Sequence, residues 1–149
     1  MLTIHSLLRW VVLVLLVMAT VQAWRGWQSK GTWTESSKRL GLFTMISMDI
    51  QLLVGFIVFV GSDLVKSATS NMGEAMRNPV LRFFTVEHTA MMLVAIALVH
   101  VGFAKAKRGA DDAQRFKAMA IFFALALVVV VAAIPWPFRA ALGRGWLPS

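Results

Sequence analysis

Arg82–His100 reads RFFTVEHTAMMLVAIALVH: a run of apolar residues that holds a glutamate, a histidine and two methionines. Its length suits a helix crossing a ~30 Å hydrocarbon core at ~1.5 Å per residue. Asn78-Pro79 stands just before it. Asn can cap a helix and Pro is tolerated in its first turn, so the spacing predicts a span from Pro79 to about Phe103.

Three further spans follow by the same reasoning. The first runs from about Ile4 to Trp24, the second from Leu40 to Val60, and the fourth from Phe116 to Ile134, where Pro135 and Pro137 stop it. Val21-Gln22-Ala23 resembles a signal-peptide cleavage pattern, but with the chain beginning at Met1 the first span is expected to be retained. Between spans, Gly26–Arg39 and the basic stretch KAKRGADDAQRFK read as loops, the latter offering Asp111 or Asp112 as a helix cap. Gly61–Asn78 is too polar to cross, though SNMGEAMR suits a short interfacial helix.

Composition agrees. The chain has 149 residues, 58% of them hydrophobic and only 15% charged, with a mean hydropathy of +0.72. A soluble domain of this size could not bury that much apolar surface, so lipid must solvate part of it. The net charge of +8 is then a loop signal rather than a nucleic-acid signal. The absence of cysteine excludes disulfides, thiolate metal sites, iron–sulfur clusters and covalent haem attachment through CxxCH. The expected fold is all-α, an integral membrane four-helix bundle forming one transmembrane domain over residues 1–149. Lys30, Lys38, Arg39, Lys105, Lys107, Arg108 and Arg115 crowd two of the loops. The positive-inside rule therefore predicts both termini on the outer, periplasmic side of a bacterial inner membrane.

This topology limits which polar residues can meet. His5 lies near the outer end of the first span, and His88 lies ~13 Å below Pro79 on the same side. His100 is ~18 Å deeper than His88, too far for one cofactor to use both. His5 with His88 is the pairing that topology favours. Two imidazoles from facing helices could hold a non-covalent b-type haem. Arg9, Arg77 and Arg82 would then stand near the propionates, and Phe83, Phe84, Met91 and Met92 near the ring. Glu87 projects ~100° away from His88 and suits a partner for His5 better. The bland alternative makes His88 a helix–helix hydrogen bond, His5 and His100 interfacial residues, and the methionines packing. Asp49 falls near the middle of the second span, where an aspartate costs ~2.5–3.5 kcal/mol. Paired with Glu87, it would either fix two spans together or lie on a proton path.

At HSLLR, GLFTMISMDIQLLVG, GEAMR, RFFTVEHTAMM and IPWPF the chain resembles small four-span bacterial membrane proteins described as cytochrome-b-like. The likeness extends over nearly the whole chain. The family's recurring histidines match His5 in the HS motif and His88 in the EH motif. Its pattern also has a histidine ahead of the IQLL-type segment, where this chain carries Asp49. A haem that needed that histidine would be held differently here or not at all, whereas ligation by His5 and His88 would survive the change. The resemblance implies a haem b protein, and the leading expectation is such a protein or a haem-carrying subunit of an electron-transfer assembly, moving electrons near the outer face between a quinol and other membrane subunits. The competing expectation is a cofactor-free accessory subunit that packs against a larger complex.

Overall fold

The computed structural model describes residues 1–147 and is helical throughout its regular structure. Its elements are α1 (Leu2–Gln28), α2 (Glu35–Gly61), α3 (Asp63–Ser70), α4 (Met72–Arg77), α5 (Pro79–Arg82), a π turn (Phe83–Glu87), α6 (His88–Lys107) and α7 (Asp112–Ala133). Four helical stretches are long and apolar enough to cross a membrane: α1, α2, the continuous run Pro79–Lys107, and α7. The chain is thus a four-helix, multi-pass membrane protein.

The caps set most of these boundaries. Thr34 accepts from the Ser37 amide, Asn78 from those of Val80 and Leu81, and Asp111 from that of Gln114, each satisfying amides that an open helix start leaves bare. At the other end of α1 the chain turns through Lys30, whose φ is 53°. There the Gly31 amide bonds the Gly26 carbonyl at 2.9 Å and the Lys30 amide reaches that of Trp27, which is a Schellman closure. α1 therefore runs to Gln28 and α2 starts at Glu35, so the expected Gly26–Arg39 loop shrinks to a short turn. Similarly α6 continues to Lys107 and α7 begins at Asp112. Basic residues do not end these helices because their long stems fold back over aromatic rings. Lys107 lies 5.2 Å from the Phe103 ring and Lys117 lies 5.9 Å from that of Trp27.

The polar Gly61–Asn78 stretch holds two short helices rather than one. Ser62 caps α3 and Asn71 caps α4. Polar side chains that compete with the backbone divide the segment into units of about two turns each.

α7 is the central helix, packing along both α6 and α1; α1 also packs on α2, and α2 touches α6 more lightly. Small residues set the closest approach. Gly102 faces α7, and a Cβ on it would stand 2.5 Å from the Phe122 Cβ. Ala95, Ala106, Ala120 and Ala126 are fully buried beside Val99, Phe103, Met119 and Phe123. Without a hydrophobic drive inside lipid, such close van der Waals packing is what holds spans together.

The antiparallel arrangement gives the bundle two unlike ends. One carries the loops after α1 and α6, with most of the Lys and Arg. The other carries both termini, α3, α4 and the segment after α7. That last segment folds back over α1. The Arg9 guanidinium and the Trp10 indole both donate to the Trp146 carbonyl, each at 3.0 Å. The rings of Trp10, Trp136 and Trp146 lie 5.9–6.2 Å apart. Arg139 donates to the Ala132 and Ile134 carbonyls, closing the C-terminus of α7 that Pro135 leaves open.

Candidate functional site

His5 and His88 meet at the termini end. Their ring centroids are 6.2 Å apart and the ring planes are inclined at 77°. His88 opens α6 immediately after the π turn, its amide donating to the Phe83 carbonyl. A π turn places one extra residue in the helix and so re-aims every side chain after it. The His88 ring packs 5.9 Å from the fully buried Phe83 ring. Its Nδ1 lies 2.8 Å from the Ala133 carbonyl oxygen. A carbonyl can only accept, so Nδ1 carries the proton and Nε2 keeps its lone pair.

His5 is positioned by α2. Gln51 donates its side-chain amide to the His5 carbonyl at 2.9 Å. Gly55 gives the ring room: a Cβ there would come within 3.1 Å of the His5 Cε1. The His5 Nδ1 is buried without a partner, and so are the Arg9 Nε, the Gln51 Oε1 and the Thr85 Oγ. Among the described residues these four are the buried, unpartnered side-chain polar atoms, and they belong to one neighbourhood. Arg9 is one turn below His5, Gln51 bonds the His5 backbone, and Thr85 lies in the π turn before His88. An unpartnered buried polar atom costs about 1–3 kcal/mol, so four at one place mark a site built to meet something else.

The centroid spacing is that of two imidazoles held in line across a single ion. Metal–imidazole bonds of ~2.0–2.1 Å, with about 1.1 Å more from nitrogen to ring centre, put the two centres ~6.3 Å apart when both nitrogens bind in line across the ion. The observed 6.2 Å agrees. The bond from His88 Nδ1 to a carbonyl is the outer contact that metal-binding imidazoles commonly make. Among the described residues no third His, Cys, Asp or Glu joins them.

The other residues singled out in the sequence are placed as follows. Glu87 turns away from both imidazoles and pairs with Arg82, its Oε1 2.6 Å from the Arg82 Nε. Arg82 also donates to the Met76 carbonyl, which ties α4 to the span. Arg9 approaches the site with its Nε while its terminal nitrogen bonds the strap at Trp146. Two arginines that sequence reasoning passed over stand nearby. Arg139 lies 4.9 Å from the Phe83 ring and Arg144 lies 4.6 Å from the Phe84 ring. Only the fold-back of the segment after α7 brings them there, and no local motif signals it.

Asp49 does not meet Glu87. It pairs with His100, Nε2 to Oδ1 at 2.7 Å, joining α2 to α6. The reason is directional. Helical side chains lean toward their own N-terminus. α2 and α6 run oppositely, so Asp49 leans toward the basic end and His100 toward the termini end. The two side chains lean toward each other and meet. Both side chains remain a little over 40% exposed, on the outward face of an apolar pair of helices.

Compared with models of known protein families, with curated proteins and with solved structures, the chain matches none.

Proposed function

We propose that the termini end of the bundle holds a b-type haem between His5 and His88 and that the protein carries electrons in a membrane assembly. The observation that carries this reading is the imidazole pair itself, spaced for one ion, with the His88 tautomer fixed by Ala133 and the unpartnered polar atoms gathered around it. A protein-only metal site needs three or four protein ligands, whereas an iron held by a porphyrin asks the protein for axial donors alone. One or two protein donors are what such a group takes, and two histidines meet that number.

Bound haem would supply reversible one-electron chemistry. Around it, Arg9, Arg139 and Arg144 offer positive charge for carboxylate side arms, as guanidinium groups do best in bidentate geometry. Phe83 and Gly55 shape the walls beside the two imidazoles. Beside Arg9, the segment after α7 packs Trp136 and Trp146 against Trp10 of α1. The likeness of the HS and EH motifs to cytochrome-b-like proteins supports the same assignment. By loop charge the termini end faces outward and the basic loops face the cytoplasm of a bacterial inner membrane. Electrons would therefore enter or leave near the outer face, with a quinol as a suitable donor.

The Asp49–His100 pair favours a second reading, an accessory subunit. A polar pair on the outer surface of two apolar spans is a contact for another protein's helix. The two readings are compatible, since a haem-carrying subunit also needs partners.

The test is a reduced-minus-oxidised spectrum, with a pyridine haemochrome assay, on the full chain expressed with haem precursor. Wild type is expected to show a b-type Soret and α band. His88→Ala should lose it and His5→Ala should lose it or shift it to a five-coordinate spectrum. A colourless, folded wild type refutes the haem assignment and leaves the accessory role.

A further inference from the structure

At the opposite, basic end a cleft of about 480 Å³ lies where α2, α6 and α7 come together, lined by Trp33, Thr34, Glu35, Lys38, Lys107 and Arg115. Each of the three helices contributes one cation: Lys38 from the first turn of α2, Lys107 from the last residue of α6, and Arg115 from the first turn of α7. The single carboxylate in the lining, Glu35, already faces Arg39 at 3.9 Å. Among the described residues Lys38 and Lys107 meet no carboxylate. The Arg115 Nε bonds the Gly109 carbonyl at 3.2 Å, which holds the side chain in place and leaves its terminal nitrogens free to donate. Three cations converging from separate elements repel one another, and a bound anion relieves that repulsion.

We propose that this cleft binds the phosphate headgroup of an anionic phospholipid. Basic pockets between spans are the usual seats of such headgroups. Size and setting select a lipid over a bare ion. The volume corresponds to about sixteen waters at ~30 Å³ each, far more than one phosphate fills and enough for a phosphoglycerol group. Trp33, stacked edge-on against Phe116 at 5.1 Å, forms a rigid amphipathic wall of the kind found at the membrane surface. Three turns along α2, on the same side as Glu35, Ile46 stands exposed and offers apolar surface for acyl chains. The helix starts themselves are not the binding groups, because Thr34 and Asp111 already cap them. Recognition rests on the side chains.

Purified full-length protein in a neutral detergent is titrated with short-chain phosphatidylglycerol, short-chain phosphatidylcholine or inorganic phosphate. Tryptophan fluorescence and thermal stability are followed. Phosphatidylglycerol is expected to perturb Trp33 and raise the melting temperature, and the other two to do neither. A lysine beside an anionic headgroup contributes roughly five-fold in affinity, so Lys38→Gln with Lys107→Gln should weaken binding by about thirty-fold. Neither side chain makes a hydrogen bond among the described residues, and Lys107 gives up only its contact with the Phe103 ring at the last residue of α6, so the double variant should keep the fold, which its unfolding transition without lipid checks. Lys30→Gln with Lys66→Gln, outside the cleft, removes the same net charge and should leave binding unchanged. The proposal is overturned if phosphatidylcholine binds equally well, if the control pair weakens binding as much, or if phosphate alone reproduces the full effect.

Discussion

Replacing Gly102 with alanine tests the packing of α6 on α7, on which the position of His88 depends. The added Cβ would sit 2.5 Å from the Phe122 Cβ, 3.3 Å from its Cγ and 3.4 Å from the Phe123 Cδ1. The first of these atoms is bonded directly to the backbone, so no rotamer change removes the clash. Carbon atoms prefer ~3.5–4.0 Å, so the two helices must part locally by about 1 Å. A gap of that size forfeits a quarter to a half of each neighbouring contact, at ~0.1–0.2 kcal/mol per atom pair at full depth. Over some thirty pairs around Val99, Phe103 and Phe123 the loss comes to about 1–2 kcal/mol, within the ~1–3 kcal/mol usual for overpacking. Alanine's better helix propensity returns at most ~1 kcal/mol. The net expectation is a destabilisation of about 1 kcal/mol, rising to 3 kcal/mol or more for Gly102→Leu. The assay is reversible unfolding in mixed micelles, read from the six tryptophans. Gly61→Ala is the control, since nothing lies within 4 Å of a Cβ there. If Gly102→Ala proves as stable as Gly61→Ala, the α6–α7 contact is looser than described and the packing argument fails.

Asp49 and His100 should be energetically coupled. In a double-mutant cycle with Asp49→Ala and His100→Ala, their 2.7 Å contact is expected to contribute ~0.6–1.7 kcal/mol, the range for polar pairs between membrane helices; additivity within ~0.3 kcal/mol would mean the pair is incidental. Lys30→Gly should stabilise the protein by about 0.5–1 kcal/mol in the same unfolding assay, because it removes the Cβ penalty at φ 53° from the Schellman turn. An unchanged or lowered stability for Lys30→Gly would show that the turn is not left-handed.

The spans were legible because period and length decide them, and several boundaries because caps are chemical. Asn78, Asp111 and the double proline after Ile134 act as their residue types require. The helices overran the expected loops at the basic end, since a lysine or arginine stops a membrane helix only if its stem cannot lie back over apolar surface. The His5–His88 meeting followed from topology and depth, two quantities a sequence carries. The Asp49–His100 pair did not. Counting from the expected span ends put Asp49 near the middle of the second span and His100 near the cytoplasmic end of the third. The opposed lean of the two side chains, which a count of rise per residue leaves out, brings them toward each other. The π turn before His88 and the arrival of Arg139 and Arg144 were equally hidden. One is a single-residue change of register, and the other depends on how thirteen residues after α7 fold back.

The same geometry bears on whether one copy of the bundle could pass protons from end to end. That role asked Asp49 and Glu87 to lie along one interior path. Instead Glu87 is engaged with Arg82 at the termini end, and Asp49 faces outward with His100. Between the imidazoles and the basic end the packed interior is Val12, Leu16, Ala19, Met48, Val99 and Phe123. Its buried hydroxyls are already committed to backbone carbonyls, Thr20 to Leu16 and Thr44 to Leu15 and Leu40. A proton would have to cross that apolar layer without a relay, at the full cost of a charge in low dielectric. Polar chemistry in this chain is therefore divided by level: an imidazole site at one end, a cationic cleft at the other, and an acid–histidine pair turned toward whatever lies beside the bundle.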